Sequence, residues 1–493
     1  MELVHQAIAQ RPPEDPAIIL DEVVISYGGL NASASGAAEW LGGIGVDVGD
    51  VVAVSVSDAV LQICLTLGLM QLGASQATLD PWLHPTGFRD LLNRLGVKHL
   101  VSDAPQPRVA RVIAHAAPSL GSIKQRPRPV EPSRAISADD KVLLSHGSGT
   151  TGTPKIMGLR HRELLARCEN TSAAFTPNRG ERTLILQRHT SSTYVTRALQ
   201  CLFQGGCLIE LSQMRKGVPN YWDLICEAID RDEVDHVHCT ALHAKGFAEI
   251  TGVRTKGVRF PRLKSFLVGA SPVSKLLRER ITERLTPNLC INFGTNEAGS
   301  ITRATPDLLK RHPDSVGTAA PLTEIAVLGA QGQALEPGQE GMIAVRGPCV
   351  IERYEGDEQA TAMAFKDGWF HTGDMGYVTE DGAVHLLGRA DDMMIISGAN
   401  VYPAEIEQVI EQLPQVKETA VTAFYSDLGK DWIVAFVVQR APCTATEIIN
   451  ICQRALGWKA PEKVFFVASL PRNSAGKVLR RELAKLIRQR PKA

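Results

Sequence analysis

Ser145-His146-Gly147-Ser148-Gly149-Thr150-Thr151-Gly152-Thr153-Pro154-Lys155 follows the apolar run Val142-Leu143-Leu144, so it reads as a loop leaving a buried strand. Its three glycines let backbone approach a ligand closely, and consecutive N–H groups in such a turn form an anion-binding concavity. The hydroxyls of Ser148, Thr150 and Thr151 add donors, and Lys155 adds a positive charge. The sum is a phosphate cradle. It is not a Walker A loop, which needs Gly-Lys-Ser/Thr after its spacer. A Gly/Ser/Thr-rich loop can equally be a plain connection, so the reading depends on what accompanies it.

Outward from this loop, residues 1 to about 140 alternate strand and helix patterns. Asp50 to Val56 is β-rich, and Val60 to Leu72 has helical spacing. Met1 to Arg11 reads as a short amphipathic helix, and the Pro-, Arg- and Ser-rich residues 104 to 134 as a surface connection. The alternation resumes with Thr183-Leu184-Ile185-Leu186, Val234 to His238 and Lys264 to Ala270. This pattern predicts α/β architecture, with mostly parallel sheets covered by helices. From 316 to 390 short strands such as Met342 to Arg346 and Ala383 to Leu387 are separated by Gly-rich turns, which predicts a β-barrel-like subdomain. A boundary falls at 388–392. Beyond it, Met393 to Ile396, a helix from Pro403 to Leu413, strands at 416–424 and 432–438 and a helix from Thr446 predict a small α+β unit. The expected organisation is an N-terminal domain over 1–387, a hinge at 388–392 and a C-terminal domain over 393–493. The basic tail Arg480 to Lys492 reads as a solvated helical face.

At 493 residues the chain is long enough for two or more cores. Lys plus Arg and Asp plus Glu both number 53, so no global field favours nucleic acid or an anionic membrane. Apolar tracts such as Ile63 to Met70 are too short to span a bilayer, and the N-terminus lacks the form of a signal peptide. Ten scattered cysteines with no C-x-x-C pair exclude a zinc-type spacing and suit a reducing compartment. The expectation is a cytoplasmic protein with neither nucleic-acid nor membrane partners, its cysteines acting as small buried hydrophobes.

Four further segments follow the cradle: Asn292-Phe293-Gly294-Thr295-Asn296-Glu297, Trp369-Phe370-His371-Thr372-Gly373-Asp374, Gly388-Arg389-Ala390-Asp391-Asp392 and Pro471-Arg472-Asn473-Ser474-Ala475-Gly476-Lys477. In this order and at these intervals, the five resemble the adenylate-forming superfamily of acyl- and aryl-CoA synthetases, adenylation domains and luciferases, closest in pattern to the aryl- and acyl-CoA ligases. The resemblance runs from Ile25-Ser26-Tyr27-Gly28-Gly29-Leu30 through Leu79-Asp80-Pro81 to the Lys477 loop.

The resemblance implies an AMP-forming acid–CoA ligase, with ATP and CoA as co-substrates, Mg²⁺ as cofactor and a small carboxylic acid as substrate. A carboxylate is a poor electrophile because its leaving group would be oxide; an acyl adenylate replaces oxide by AMP. Nucleotidyl transfer of this kind is mostly positioning and electrostatics. The loop containing Ser148, Gly149, Thr150, Thr151, Gly152 and Lys155 is expected to hold the β- and γ-phosphates. Asn292, Phe293 and Gly294 would flank adenine, Thr295 would meet the α-phosphate, and Glu297 would hold Mg²⁺, a hard cation suited to carboxylate oxygen. Asp374, in a tight turn after an aromatic pair, can accept ribose hydroxyls, as one acidic residue does in other nucleotide sites; a Gly-Asp pair also merely stabilises turns. Arg389 resembles a second ribose or phosphate contact. Lys477 would bridge the substrate carboxylate and the α-phosphate during adenylation only, stabilising the transition state above the ground state.

Asp391 is the implied hinge of a mobile C-terminal domain that swings between half-reactions. In Ser397-Gly398-Ala399-Asn400 the Gly398 backbone would then line a tunnel for the CoA arm. His189, sixteen residues before Gly205-Gly206, stands where related ligases carry a histidine beside the carboxylate; a core histidine is the other reading. His238, with Gly269 and Ala270, would line the acid pocket, either hydrogen-bonding a polar substituent or sitting satisfied in the core. Ile156, Ala241, Asn296, Arg353 and Ile395 depart from the superfamily pattern and bear on substrate identity first. An aromatic, benzoate-type acid is favoured and a medium-chain acid comes next. The alternatives are loading of a separate carrier protein's phosphopantetheine and, from a different class, a non-catalytic adenylate-binding scaffold.

Overall fold

Val51–Ser55 is β-branched at most positions and forms a central strand, while the helix Ala59–Leu72 is apolar all round and buried. Asp58 caps that helix by accepting the Leu61 N–H at 2.9 Å, and Gly73 ends it in the left-handed conformation at φ 69°. In the computed structural model the described residues are 2–79, 85–104, 109, 111–123, 130–147, 155–170, 177–212, 221–254, 257–396, 399–425, 431–472, 478–480 and 482–483.

Among them, two large mixed sheets carry the N-terminal part. In one, the strands Ile113–Ala116, His99–Ser102, Val51–Ser55, Ser75–Thr78 and Lys141–His146 run parallel in that order, and Ile156–Arg160 closes the edge antiparallel to Lys141–His146. The other has nine strands with a parallel centre: Leu289–Thr295, Ser265–Gly269, His236–Thr240, Arg182–Ile185, Cys207–Glu210 and Pro16–Leu20. One apolar cluster draws on both sheets, through Val52, Val142, Ile18 and Ile185, and on the helices Tyr27–Gly43, Ala59–Leu72 and Ser192–Phe203. A second cluster fills the opposite face of the nine-stranded sheet around Val237, Phe266 and Val268.

The β-rich subdomain is a five-stranded antiparallel sheet in which Val384–Arg389 and Gly341–Arg346 both pair with Trp369–Val378. Register shifts at Met342/Ala344 and Met375/Gly376 bend it; among the described residues the ladder stays branched and does not close on itself. The C-terminal part is a small α+β unit. Val416–Tyr425 pairs antiparallel with Asp431–Gln439, Lys463–Phe466 joins parallel, and the helices Pro403–Glu411 and Ala445–Leu456 pack on a separate core around Val421, Ile406 and Ile448. All ten thiols are free and eight are buried. No helix among the described residues is long and apolar enough to cross a membrane.

Candidate active site

Parallel α/β sheets offer binding sites beyond the carboxyl ends of their strands. Both large sheets aim those ends at one cleft: Val56, Asp103 and Gly147 follow strands of the first, and His189, Ala270 and the Thr295 turn follow strands of the second. The cleft measures about 2400 Å³, well above the ~300–1,000 Å³ of an ordinary small-molecule pocket. The C-terminal unit closes one side through Glu407, Lys417 and Arg440.

One end of the cleft is built on the hairpin Leu289–Thr295 and Gly299–Ala304. Gly294 cannot be replaced there, since a Cβ would stand 2.1 Å from the Gly299 carbonyl oxygen. Thr295 Oγ1 accepts the Ala298 N–H at 3.1 Å and shapes the turn that presents Glu297. Glu297 Oε1 accepts the Tyr354 hydroxyl at 2.8 Å. Lys155 Nζ lies 4.7 Å from the centre of the Tyr354 ring, a cation–π contact. The cradle is thus the loop of a β-hairpin, and its second strand is tied to the Tyr354 segment by the Glu355 N–H to Ile156 carbonyl bond, 2.8 Å. Burial, and next the Glu297 carboxylate, push the Tyr354 phenol well above its ordinary range, so it stays a donor. Asn292 Oδ1 accepts the Ser300 hydroxyl.

Asp374 and Arg389 face each other across neighbouring strands, and Arg389 Nη1 lies 3.3 Å from Asp374 Oδ2 while donating to the Thr372 carbonyl at 2.7 Å. Thr372 Oγ1 accepts the Asp374 N–H at 3.0 Å and donates to the Ile343 carbonyl at 2.8 Å. Between them Gly373 has a φ of +76°, where a side chain is strained, and a Cβ would also displace the Arg389 guanidinium, 2.5 Å away at Nη2.

At the other end, His189 Nε2 donates to the Val56 carbonyl at 2.9 Å, which makes that nitrogen the protonated one. Its ring meets Tyr194 edge-on with centroids 6.3 Å apart. His238 is 5% exposed, and neither ring nitrogen has a hydrogen-bond partner among the described residues. Burial first, then the charge of Arg197, pushes its pKa far down, so the ring is neutral. Of the two readings open for His238, the satisfied core histidine does not hold. Gly269 pairs with Asn292, and Ala270 follows at a φ of 66°, both on the cleft wall.

Asp391 lies in the single turn Ala390–Asp392 beside the cleft. Next to it Arg480 links Asp392 at 3.3 Å to Glu407 at 2.7 Å. Ser148, Gly149, Thr150, Thr151, Gly152, Gly398 and Lys477 lie outside the described residues. The rest of the expected set, from Lys155 through Glu297 to Asp374, Arg389 and the two histidines, lines the one cleft.

A family model described as AMP-binding enzyme matches residues 5–355, and one described as AMP-binding enzyme C-terminal domain matches 405–477. The chain belongs to the AMP-binding enzyme family. A long-chain-fatty-acid–CoA ligase of Salmonella typhimurium is 30% identical over 352 residues, 71% of this chain and 62% of that protein, so the chain spans less than two thirds of that relative. A 2-succinylbenzoate–CoA ligase of Bacillus cereus is 28% identical over 99% of this chain and all of that protein. Among solved structures, the o-succinylbenzoate CoA synthetase of Bacillus subtilis in complex with ATP and magnesium ion superposes with a TM-score of 0.86, at 25% identity over 98% of this chain and 99% of that one. The ATP-bound MatB of Rhodopseudomonas palustris gives 0.84 at 25% identity, over 99% of each chain.

Three residues of this AMP-binding enzyme's cleft were not singled out from sequence. Arg167, 7% exposed, donates to the carbonyls of Cys349, Asn296 and Glu297 at 3.0, 3.0 and 2.8 Å and so holds the Glu297 turn. Tyr354 holds the Glu297 side chain. Arg197 stands on the cleft wall beside His238. Arg167 and Arg197 sit in helices where an arginine reads as a solvated face; only the aromatic at 354, beside the unusual Arg353, carried a signal.

Proposed function

We propose that this AMP-binding enzyme is an acid–CoA ligase that makes an acyl adenylate and then an acyl-CoA thioester. A carboxylate oxygen of the acid attacks the α-phosphorus of ATP and pyrophosphate leaves. The CoA thiol, losing its proton, then attacks the acyl carbon and AMP leaves. The observation that carries this reading is the convergence of Lys155, Glu297, Asp374 and Arg389 on one cleft large enough for nucleotide and acid together.

Lys155 takes the β- and γ-phosphates, Thr295 the α-phosphate, Asp374 the ribose hydroxyls and Arg389 the ribose or a phosphate. The strand Asn292 to Gly294 offers its backbone to adenine. No cluster of three or more His, Cys, Asp or Glu side chains able to hold a metal occurs among the described residues. Mg²⁺ in nucleotide sites takes one or two carboxylates plus phosphate oxygens, so the single Glu297 fits it. When bound, the ion neutralises phosphate charge. Tyr354 and Arg167 fix the carboxylate and the turn that meet it. Lys477 supplies the positive charge between substrate carboxylate and α-phosphate, and His189, with its Nε2 proton given to Val56, positions the acid. Residues 388–392 with Asp391 form the hinge between 1–387 and 393–493, and Gly398 lines the approach of the CoA arm.

Aromatic acids are the favoured substrates. The near full-length match to a 2-succinylbenzoate–CoA ligase and the structural likeness to an o-succinylbenzoate CoA synthetase support this; a long-chain-fatty-acid–CoA ligase of Mycobacterium tuberculosis, 28% identical over 93% of this chain, makes fatty acids the competing class in the test. The test is product mass spectrometry with MgATP and a panel of benzoates, cinnamates, 2-succinylbenzoate and fatty acids, each with and without CoA. Acyl-CoA with AMP is the expected product. Acyl-AMP that ignores CoA would redirect the second half-reaction to a carrier protein, and no adenylate from any acid would overturn the proposal.

A further inference from the structure

The helix Ser192–Phe203 places a charged group on the cleft wall with no counter-ion among the described residues. His238, Leu267 and Cys290 stand level on neighbouring strands, with Ile185 next to His238, all pointing to the face covered by the helix Ser192–Phe203. Arg197 of that helix comes down on this face and lines the cleft. Its guanidinium makes no hydrogen bond or ion pair with any described residue, and burial alone acts on it, lowering its pKa to about 10. Among the described residues no carboxylate pairs with it. Instead the charges that it meets are alike or neutral: Arg303, whose pKa its field helps to depress, and the unpartnered ring of His238. Glu210, on the same wall, is taken by the Tyr194 hydroxyl, and burial raises its pKa to about 8, so at neutral pH it is mostly protonated and supplies little charge. A cation that faces the cleft without a partner loses its water when a substrate fills that space, which is costly unless the substrate pairs with it, and donors converging on open space mark where a ligand's acceptor sits.

That acceptor is not the reacting carboxylate. The α-phosphate contact is assigned to Thr295, five residues beyond Cys290 on the same strand, about 16 Å at ~3.3 Å per residue. A group held at the level of His238 belongs to the far end of the acid.

We propose that Arg197 and His238 bind a second carboxylate on the acid substrate, so that the preferred substrates are dicarboxylic acids. This rests on the ligase reading and narrows its substrate class. Guanidinium takes a carboxylate in a bidentate fork, and a neutral imidazole adds one N–H. A plain fatty acid would bury its apolar tail against an unpaired guanidinium, which disfavours it by the same desolvation cost.

The experiment is acid-dependent ATP–pyrophosphate exchange on the full chain, comparing diacids with their own distal monomethyl esters: 2-succinylbenzoate, terephthalate and adipate. For the diacid best accepted, kcat/KM should exceed that of its monoester by about a hundredfold, mostly in KM. Arg197→Gln should erase that ratio, and Arg197→Lys should keep part of it; a thermal melt reports on folding, and the wild-type ratio stands without any variant. Equal exchange with diacids and monoesters would overturn the second-carboxylate site while leaving the ligase standing. Exchange with no acid at all would overturn both.

Discussion

At the nucleotide end of the cleft the polar groups answer one another within the chain: Glu297 takes the Tyr354 hydroxyl, Arg389 spans Asp374 and the Thr372 carbonyl, and Arg167 saturates three carbonyls. At the acid end Arg197 and both ring nitrogens of His238 have no partner among the described residues. On the proposed reading, the first end is pre-organised for the nucleotide and the second leaves its donors for the acid. Perturbing the first end should therefore affect every acid alike, and perturbing the second should change the choice of acid.

The largest expected effect is Lys477→Ala. A preorganised charge at the developing transition state is worth about 10²–10³ in rate, so pyrophosphate exchange should fall by at least that factor with every acid. Thioester formation from supplied acyl adenylate should persist, because the role proposed for the lysine is in adenylation alone. Unchanged exchange would remove Lys477 from the mechanism. Arg167→Met comes next. It strands three carbonyls, each costing about 1–3 kcal/mol if left buried and unpaired. The melting temperature should drop by several degrees and the KM for ATP should rise equally for all acids; a rise confined to one class of acid would join the two ends that the geometry separates.

The same contrast explains what could be read from residue order. Gly294 is required because a side chain would strike the Gly299 carbonyl, and Gly373 because its φ is +76°, so backbone geometry imprints itself on short contiguous motifs. The strands and helices of the α/β part are legible for a similar reason: the run Val51–Ser55 and the all-apolar helix Ala59–Leu72 carry their burial in local composition. The acid end has no such imprint. Arg197, His238 and Arg303 come from a helix and two non-adjacent strands of one sheet, and only the sheet order brings them together. An arginine in an amphipathic helix looks solvated until the facing strands are known. The cradle, by contrast, was legible as a loop after a strand but not as a hairpin, because the pairing of Lys141–His146 with Ile156–Arg160 is a tertiary fact.

Glu210→Gln gives a smaller effect with a definite sign. Burial raises the Glu210 carboxyl from 4.5 to about 8, so between those values the folded chain holds a proton that the unfolded chain has released. The stability from this group is complete below pH ~4.5 and is lost as pH rises through about 8. Glutamine keeps an acceptor for Tyr194 and cannot ionise. The wild-type melting temperature should fall relative to that of the variant as pH goes from about 5 to about 8; parallel curves would mean that Glu210 is ionised and available to Arg197, which would remove the reason for seeking that arginine's counter-ion in the substrate.

Tyr354→Phe is the finest cut, because it removes one hydroxyl and keeps the ring under Lys155. The lost bond is to a partly buried carboxylate, so about 1.5 kcal/mol is at stake, roughly tenfold in an equilibrium constant. Glu297 would then be free to turn away from the cation. The expected signature is a rise of that order in the Mg²⁺ concentration needed for half-maximal exchange, with little change in KM for any acid and an intact cation–π contact. A change in acid preference instead would place Tyr354 at the acid end and blur the division. No change in Mg²⁺ dependence would mean that Glu297 is held by its backbone alone, through Arg167, and that the hydroxyl contributes only to packing of the β-rich subdomain.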